Sequence, residues 1–333
     1  MSKKAKAEVE EKIAGIRDEY KDCFISGETL LNTKKTVIPF SVNLDLILGG
    51  GIPLGSFVVI AGQKKLGKTT SILHFCAHAQ EAGCKVYYLD VEYRLKGRDL
   101  SGIPGLQLGK DKFVIIHSTK KKKLHGEDYL TIAMDLLENE ENCIIILDSI
   151  SQLCSSGKDA ANIGDRFRDD IPMMLSTMTK RASNILPVNN HILICVTHMI
   201  ANQGGHGPAL WLEASGQKVQ YQADVKLKAT HKTDISDSDD KQIGQEIHWQ
   251  CDTSAIGPPG GKTTTLLRYG EGLDDYYDLL SSCIDIGLVT KGGAWLTFPD
   301  GSRAQGKEKG RAHLKENPEL YELLSKQFRE LLI

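Results

Sequence analysis

The chain has 333 residues, with 43 acidic against 41 basic side chains and a formal net charge of −2 at pH 7. Hydrophobic residues make up 41 % and charged residues 25 %, a usage that excludes a disordered or fibrous chain and leaves room for one large and one small domain. A charge this near zero also argues against a uniformly basic coat for nucleic acid.

Met1–Lys6 runs straight into charged residues, and no long apolar stretch follows, so neither a signal peptide nor a membrane span is expected. Residues 5–20 place Val9, Ile13, Ile16 and Tyr20 at helical spacing, before a turn-rich segment at Gly27–Lys35. The eight cysteines contain no Cys-x-x-Cys pair, and Cys143 and Cys195 lie in apolar runs, which predicts reduced thiols and a cytoplasmic setting. His74 and His78 stand at i, i+4, but no third ligand accompanies them in sequence, and no metal site is expected there.

Apolar runs at Phe57–Ala61, Lys85–Asp90, Phe113–His117, Cys143–Asp148 and Ile192–Thr197 read as strands. They alternate with amphipathic helices at Glu127–Glu141 and Asp165–Leu186, which predicts an α/β core: a mainly parallel sheet flanked by helices. Ala223–Thr230, Gln245–Gln250 and Thr264–Tyr269 follow without helices between them and are expected to extend the sheet antiparallel. From about Tyr276 the pattern changes to short helices and a strand pair near Ala294–Phe298. Asn317 is placed to cap a last helix that starts at Pro318. The expected organisation is an N-terminal helix and linker over 1–34, a core over 35–270 and a small α+β C-terminal domain over 271–333. Lys120–Lys123 reads as a solvated loop tip.

Gly62-Gln63-Lys64-Lys65-Leu66-Gly67-Lys68-Thr69 fits the phosphate-loop pattern G-x-x-x-x-G-K-[ST], with a strand leading in and a helix-compatible run, Thr70–Gln80, leading out. Loop and helix N–H groups point at phosphates, Lys68 reaches the β- and γ-phosphates, and the Thr69 hydroxyl ligates Mg²⁺. Asp148 ends a buried strand and completes the Mg²⁺ site. Glu92, just past the strand ending at Asp90, is placed to polarise a water, with a plain surface carboxylate as the alternative. Gly257–Thr263 mimics the pattern but has Ile256 where the first glycine belongs and reads as a loop. No Asn-Lys-x-Asp motif is present, so ATP is expected over GTP.

Ser41–Gly55, Asp90-Val91-Glu92, Ile163-Gly164-Asp165, Ser215-Gly216-Gln217, Tyr221–Leu227, Tyr269-Gly270-Glu271-Gly272, Lys291–Trp295, Gln305-Gly306-Lys307 and Leu314–Glu319 resemble, in order, segments of the RecA-type homologous-recombination ATPases. The resemblance implies a RecA-like P-loop core, an N-terminal helix that packs on the adjacent subunit, and a helical filament on single-stranded DNA that pairs with double-stranded DNA. It also implies single-strand-binding and mediator proteins as partners. Glu92 matches the family's catalytic glutamate. DNA-binding loops fall at about 155–168 and 199–220. Arg166 and Arg168 are phosphate partners in the first, Lys218 and Trp211 a base and a stacking surface in the second. His198, where bacterial members carry Gln and phage members can carry His, is placed to sense the γ-phosphate and lead into the second loop.

Two features depart from the family. Cys251–Ala255 carries no base where members often reach in trans to a neighbour's phosphate, and the tyrosine expected a few residues after Glu92 to stack on adenine is missing, the segment Tyr93–Leu100 reading differently. The missing trans bases leave a non-catalytic paralogue that regulates filaments as an alternative; a ring-forming helicase-like ATPase is a further one, against which the C-terminal segment with Gly293-Ala294-Trp295 argues. The near-zero net charge also averages unlike regions, since Arg303–Lys315 gathers Arg303, Lys307, Lys309, Arg311 and Lys315 against the single acid Glu308.

Overall fold

The computed structural model describes residues 19–331 except 163, 165–168, 202–210, 215–216 and 237–238. Met1–Thr36 and Val37–Ile333 are separate compact units. In the first, a short helix at Gly27–Asn32 is capped by Ser26, whose Oγ accepts from the Thr29 N–H at 3.0 Å. The stripe residues Val9, Ile13 and Ile16 lie outside the described residues.

The second unit opens with helix α1 (Val42–Leu48), capped by Ser41 and ended by Gly49 in the left-handed region. Five parallel strands follow: β1 (Phe57–Gly62), β2 (Lys85–Asp90), β3 (Phe113–Ile116), β4 (Cys143–Asp148) and β5 (Ile192–Ala201). Between them run α2 (Lys68–Glu81), α3 (Gly126–Asn139) and α4 (Ile171–Asn189). The short β6 (Trp211–Glu213) pairs antiparallel with β5. Then come β7 (Val225–Ser236), β8 (Gln242–Thr253), β9 (Lys262–Arg268) and β10 (Gly272–Leu273), giving the order β10-β9-β8-β7-β1-β5-β4-β2-β3.

Period-2 burial explains why these runs are apolar throughout. Val58 and Ile60 of β1, Ile144 and Ile146 of β4, and Ile194 and Val196 of β5 feed one core cluster. Their neighbours Phe57 and Val59, Ile145 and Leu147, and Leu193 and Cys195 feed the cluster on the opposite face.

The expectation of antiparallel additions holds for β8 and β9 but not for β7, which lies parallel to β1, Val58 opposite Val225. Asp224 explains the direction. Its N–H donates to the Phe57 carbonyl at 2.9 Å, and its carboxylate accepts from the Phe57 N–H at 2.8 Å, so the two strands start side by side. β8 extends beyond the expected Gln245–Gln250 through Cys251–Thr253, and of the expected loop Gly257–Thr263 only Gly257–Gly261 connects into β9, which already begins at Lys262.

The C-terminal residues build α5 (Asp275–Asp285), a three-stranded sheet of β11 (Thr290–Gly292), β12 (Trp295–Thr297) and β13 (Arg303–Gln305), then α6 (Gly306–Glu316) and α7 (Pro318–Glu330). The expected strand pair is thus a three-stranded sheet. A third core cluster of Leu280, Leu296, Leu314, Leu324 and Phe328 fills this region, and Val42 and Leu46 of α1 pack against it. Asn317 stands before α7 but does not cap it. Only one residue separates the two helices, and the Asn317 amide donates back to the His313 carbonyl at 2.8 Å.

Leu314→Ala empties a fully buried position in this cluster and should cost about 2–5 kcal/mol. Urea unfolding checks it, with Lys309→Ala on the exposed side of the same helix expected to stay within about 0.5 kcal/mol.

Candidate active site

The register of the parallel strands assembles the site at their C-terminal ends. Gly62 at the end of β1 stands opposite His198 on β5, and Asp90 at the end of β2 stands opposite Asp148 on β4. Gly67 precedes α2 at φ 77°, and a Cβ there would come within 2.5 Å of the Ile247 side chain. A Cβ on Gly62 would come within 2.8 Å of the Ala229 carbonyl oxygen. The loop therefore has room for backbone alone, and it turns the first N–H groups of α2 toward a cleft of about 360 Å³. Lys64, Lys65, Leu66, Gly67, Lys68, Thr69, Thr70, Glu92, Asp148 and His198 all line this cleft.

Lys68 is only 6 % exposed. Its Nζ donates to the carbonyls of Gly62 at 2.9 Å and Gln63 at 2.7 Å. Burial pushes its pKa down to about 8, against the pull of Asp148 and Glu92. The Thr69 hydroxyl donates to Asp148 Oδ2 at 2.8 Å, and the Tyr88 hydroxyl donates to the same oxygen. Burial raises the Asp148 carboxyl above the usual range, opposed by these two hydrogen bonds.

Glu92 is not the free surface carboxylate that was the alternative. Its Oε1 accepts from the Ser149 hydroxyl at 2.7 Å and from His198 Nε2, and Arg94 Nε lies 3.0 Å from Oε2. The His198 hydrogen bond is the foremost cause holding its pKa down, to about 2, with Ser149 and Arg94 adding to it against burial. The His198 backbone N–H in turn donates to Ser151 Oγ at 3.2 Å, and its buried Nδ1 has no partner among the described residues. Asp90 serves the strand end: its two oxygens accept from the Arg94 and Leu95 N–H groups, both at 3.1 Å.

Tyr88, Ser149, Ser151 and Arg94 are site residues that sequence reasoning missed. Tyr88 had a signal, since it sits two residues before Asp90 on the same side of a strand and so points where Asp90 points.

Arg166 and Arg168 lie outside the described residues, as do the side chains of Trp211 and Lys218. The backbone places Trp211 at the start of β6, opposite Ala201, and Lys218 in a short helix at Gln217–Tyr221. The base-free run after Trp249 has a different environment from the one expected. Asp252 there is 3.7 Å from Lys226 Nζ and also paired with Lys228, both on the neighbouring strand β7. The basic run of α6 is partly consumed internally. Arg311 binds Asp274 and Glu271, Lys307 donates to Ser281 at 2.7 Å, and Glu308 receives Arg268 at 2.7 Å.

His198→Ala removes the main support of the Glu92 anion and should move that carboxyl pKa up from about 2 toward the ordinary glutamate range. Carboxyl-carbon NMR titration of the Glu92 signal checks this without any ligand.

Sequence comparisons agree with this geometry. The RecA N-terminal domain matches residues 13–274 and the RecA C-terminal domain residues 278–333. The RecA protein of Fusobacterium nucleatum is 27 % identical over 308 residues, which cover 92 % of this chain and 79 % of that one. The RecA protein of Phytoplasma mali is 27 % identical over 304 residues, covering 89 % and 86 %. That of Streptococcus gordonii is 26 % identical over 293 residues, covering 87 % and 74 %. Two family domains in sequence, carried by a phosphate loop at the head of a parallel sheet, place the chain in the RecA family of recombinases.

Proposed function

We propose that the chain is an ATP-dependent DNA recombinase that forms helical filaments on single-stranded DNA and promotes homologous pairing and strand exchange. One observation carries the mechanism. A phosphate cradle and an ionised glutamate share a cleft with His198, which sits on the strand that leads into residues 202–210.

Lys68 exchanges the Gly62 and Gln63 carbonyls for β- and γ-phosphate oxygens, and the N–H groups at the start of α2 complete the cradle. Thr69 Oγ1 and Asp148 are the residues that would hold Mg²⁺. Their oxygens lie 2.8 Å apart, Asp148 buried and Thr69 half-buried, with the Tyr88 hydroxyl in support, which suits a hard cation. When bound, Mg²⁺ neutralises charge on the phosphates. Glu92 orients the attacking water as a hydrogen-bond acceptor. While His198 holds it, its low pKa makes it a weak base. His198 Nε2 can serve Glu92 or a phosphate oxygen but not both, so its swing toward phosphate frees Glu92 and pulls on the second loop.

Thr70 and Asp99 also line an adjoining cavity of about 340 Å³ with Ile103, Leu267 and Tyr269, and we assign it to adenosine. Arg166, Arg168, Lys218 and Trp211 belong to the DNA loops, and the stripe of residues 9–20 to the neighbouring subunit.

ATP hydrolysis with and without single-stranded DNA, paired with electron microscopy, tests the proposal. DNA-stimulated turnover and filaments are expected. Binding of ATP and DNA with negligible turnover would favour a regulatory paralogue, to which the base-free run at Cys251–Ala255 lends support. Closed rings without DNA stimulation would sink both. Glu92→Gln should lower turnover by about 10²–10⁴-fold with ATP binding retained.

The Lys68 ammonium predicts a pH dependence. Its pKa near 8 lies below the ordinary lysine value, so the free protein loses the cation as pH rises through 8, and phosphate binding needs it. ATP affinity should fall about tenfold between pH 7 and 9. Lys68→Arg should flatten that profile, as calorimetric titration would show.

A further inference from the structure

We propose that His74, His78 and Asp275 form a binding site for a divalent transition-metal ion, zinc by its donor set, that fastens the start of α5 to the middle of α2. The site is separate from the nucleotide cleft. His74 and His78 lie six and ten residues along α2 from Lys68, about 9 and 15 Å down the helix.

The i, i+4 spacing puts both imidazoles on one face of α2, and the tertiary fold adds the third donor that sequence proximity lacked. The donor atoms of the three residues all lie within 4.8 Å of one another. Asp275 Oδ2 is 2.9 Å from His74 Nε2 and 3.9 Å from His78 Nε2. The second separation is too long for a hydrogen bond. Together the two bracket the roughly 3.3 Å between ligands bound at 2.0–2.1 Å in a tetrahedron.

The surrounding contacts orient the donors. The His78 Nδ1–H donates to the Pro39 carbonyl at 3.1 Å, which leaves the Nε2 lone pair facing the carboxylate. Asp275 Oδ1 accepts from the Val42 N–H at 3.3 Å, which leaves Oδ2 to the two histidines. An imidazole whose far nitrogen is tied to a backbone carbonyl is the usual outer arrangement of a metal-bound histidine.

Two nitrogens and one carboxylate suit zinc and not the all-oxygen shells of magnesium or calcium. The His78 side chain is 24 % exposed and that of Asp275 14 %, so an ion can enter and keep a water as a fourth ligand. Asp275 also falls between the two matched family domains, which end at 274 and begin at 278. An ion here would therefore tie the entrance of the C-terminal region to the helix that carries the phosphate loop.

The test uses the full chain, stripped with chelator and returned to magnesium buffer, then titrated with zinc chloride alone or cobalt chloride alone. The expected result is one tightly held zinc per chain, a raised melting temperature, and cobalt d–d bands of a nitrogen–oxygen site. His78→Gln should weaken zinc binding at least tenfold and abolish the melting shift. Equal zinc uptake and melting shift in wild type and His78→Gln would overturn the proposal. So would a cobalt spectrum with thiolate charge transfer, or no stoichiometric uptake. If His78→Gln does not fold, the wild-type chain still decides. Zinc should protect His74 and His78 from diethyl pyrocarbonate, mapped by peptide mass spectrometry, and unchanged modification of both would overturn the site.

Discussion

The parallel register that sets Gly62 beside His198 and Asp90 beside Asp148 is the constraint on which the site depends. Gly62, Asp90 and Asp148 are each the last residue of an apolar strand, and His198 is the position of β5 level with Gly62, so the site gathers at the C-terminal edge of the sheet. A one-residue slip of any strand would turn its end residue to the other face of the sheet. The two-sided core prevents the slip, because alternate side chains of β1, β4 and β5 are committed to different clusters.

Around that frame, buried charge is tolerated only where it is answered. Lys68 is held by carbonyls, Asp148 by two hydroxyls, and Glu92 by a histidine, a serine and an arginine. Beyond the adjoining cavity, which Arg268 lines, Arg268 and Arg311 converge on buried Asp274. That convergence joins β9 to α6 and removes Arg311 from the exposed basic run, so local charge on this surface is smaller than a count of bases implies.

Much of the architecture was legible in the order of residues. Lys85–Asp90 and Cys143–Asp148 are strands with the boundaries their apolar runs indicate, and the phosphate loop lies between strand and helix as its pattern requires. Period and turn chemistry are local, so a sequence carries them directly. The parallel direction of β7 was not legible, because it depends on Asp224 meeting Phe57 across 167 positions. Asn317 looked like a cap, yet its amide serves the helix before it.

By itself, then, the sequence determined the phosphate loop, the strand that carries it, the acids Asp90 and Asp148 that end β2 and β4, and the resemblance to the RecA family. Those depend on residue type at short spacing. Only the tertiary structure decided that His198 grips Glu92, that Tyr88 and Ser149 belong to the site, and that Asp275 joins His74 and His78. Such contacts bring together groups far apart in the chain, and their partners are chosen by how the sheet registers and the helices pack, which no local pattern encodes.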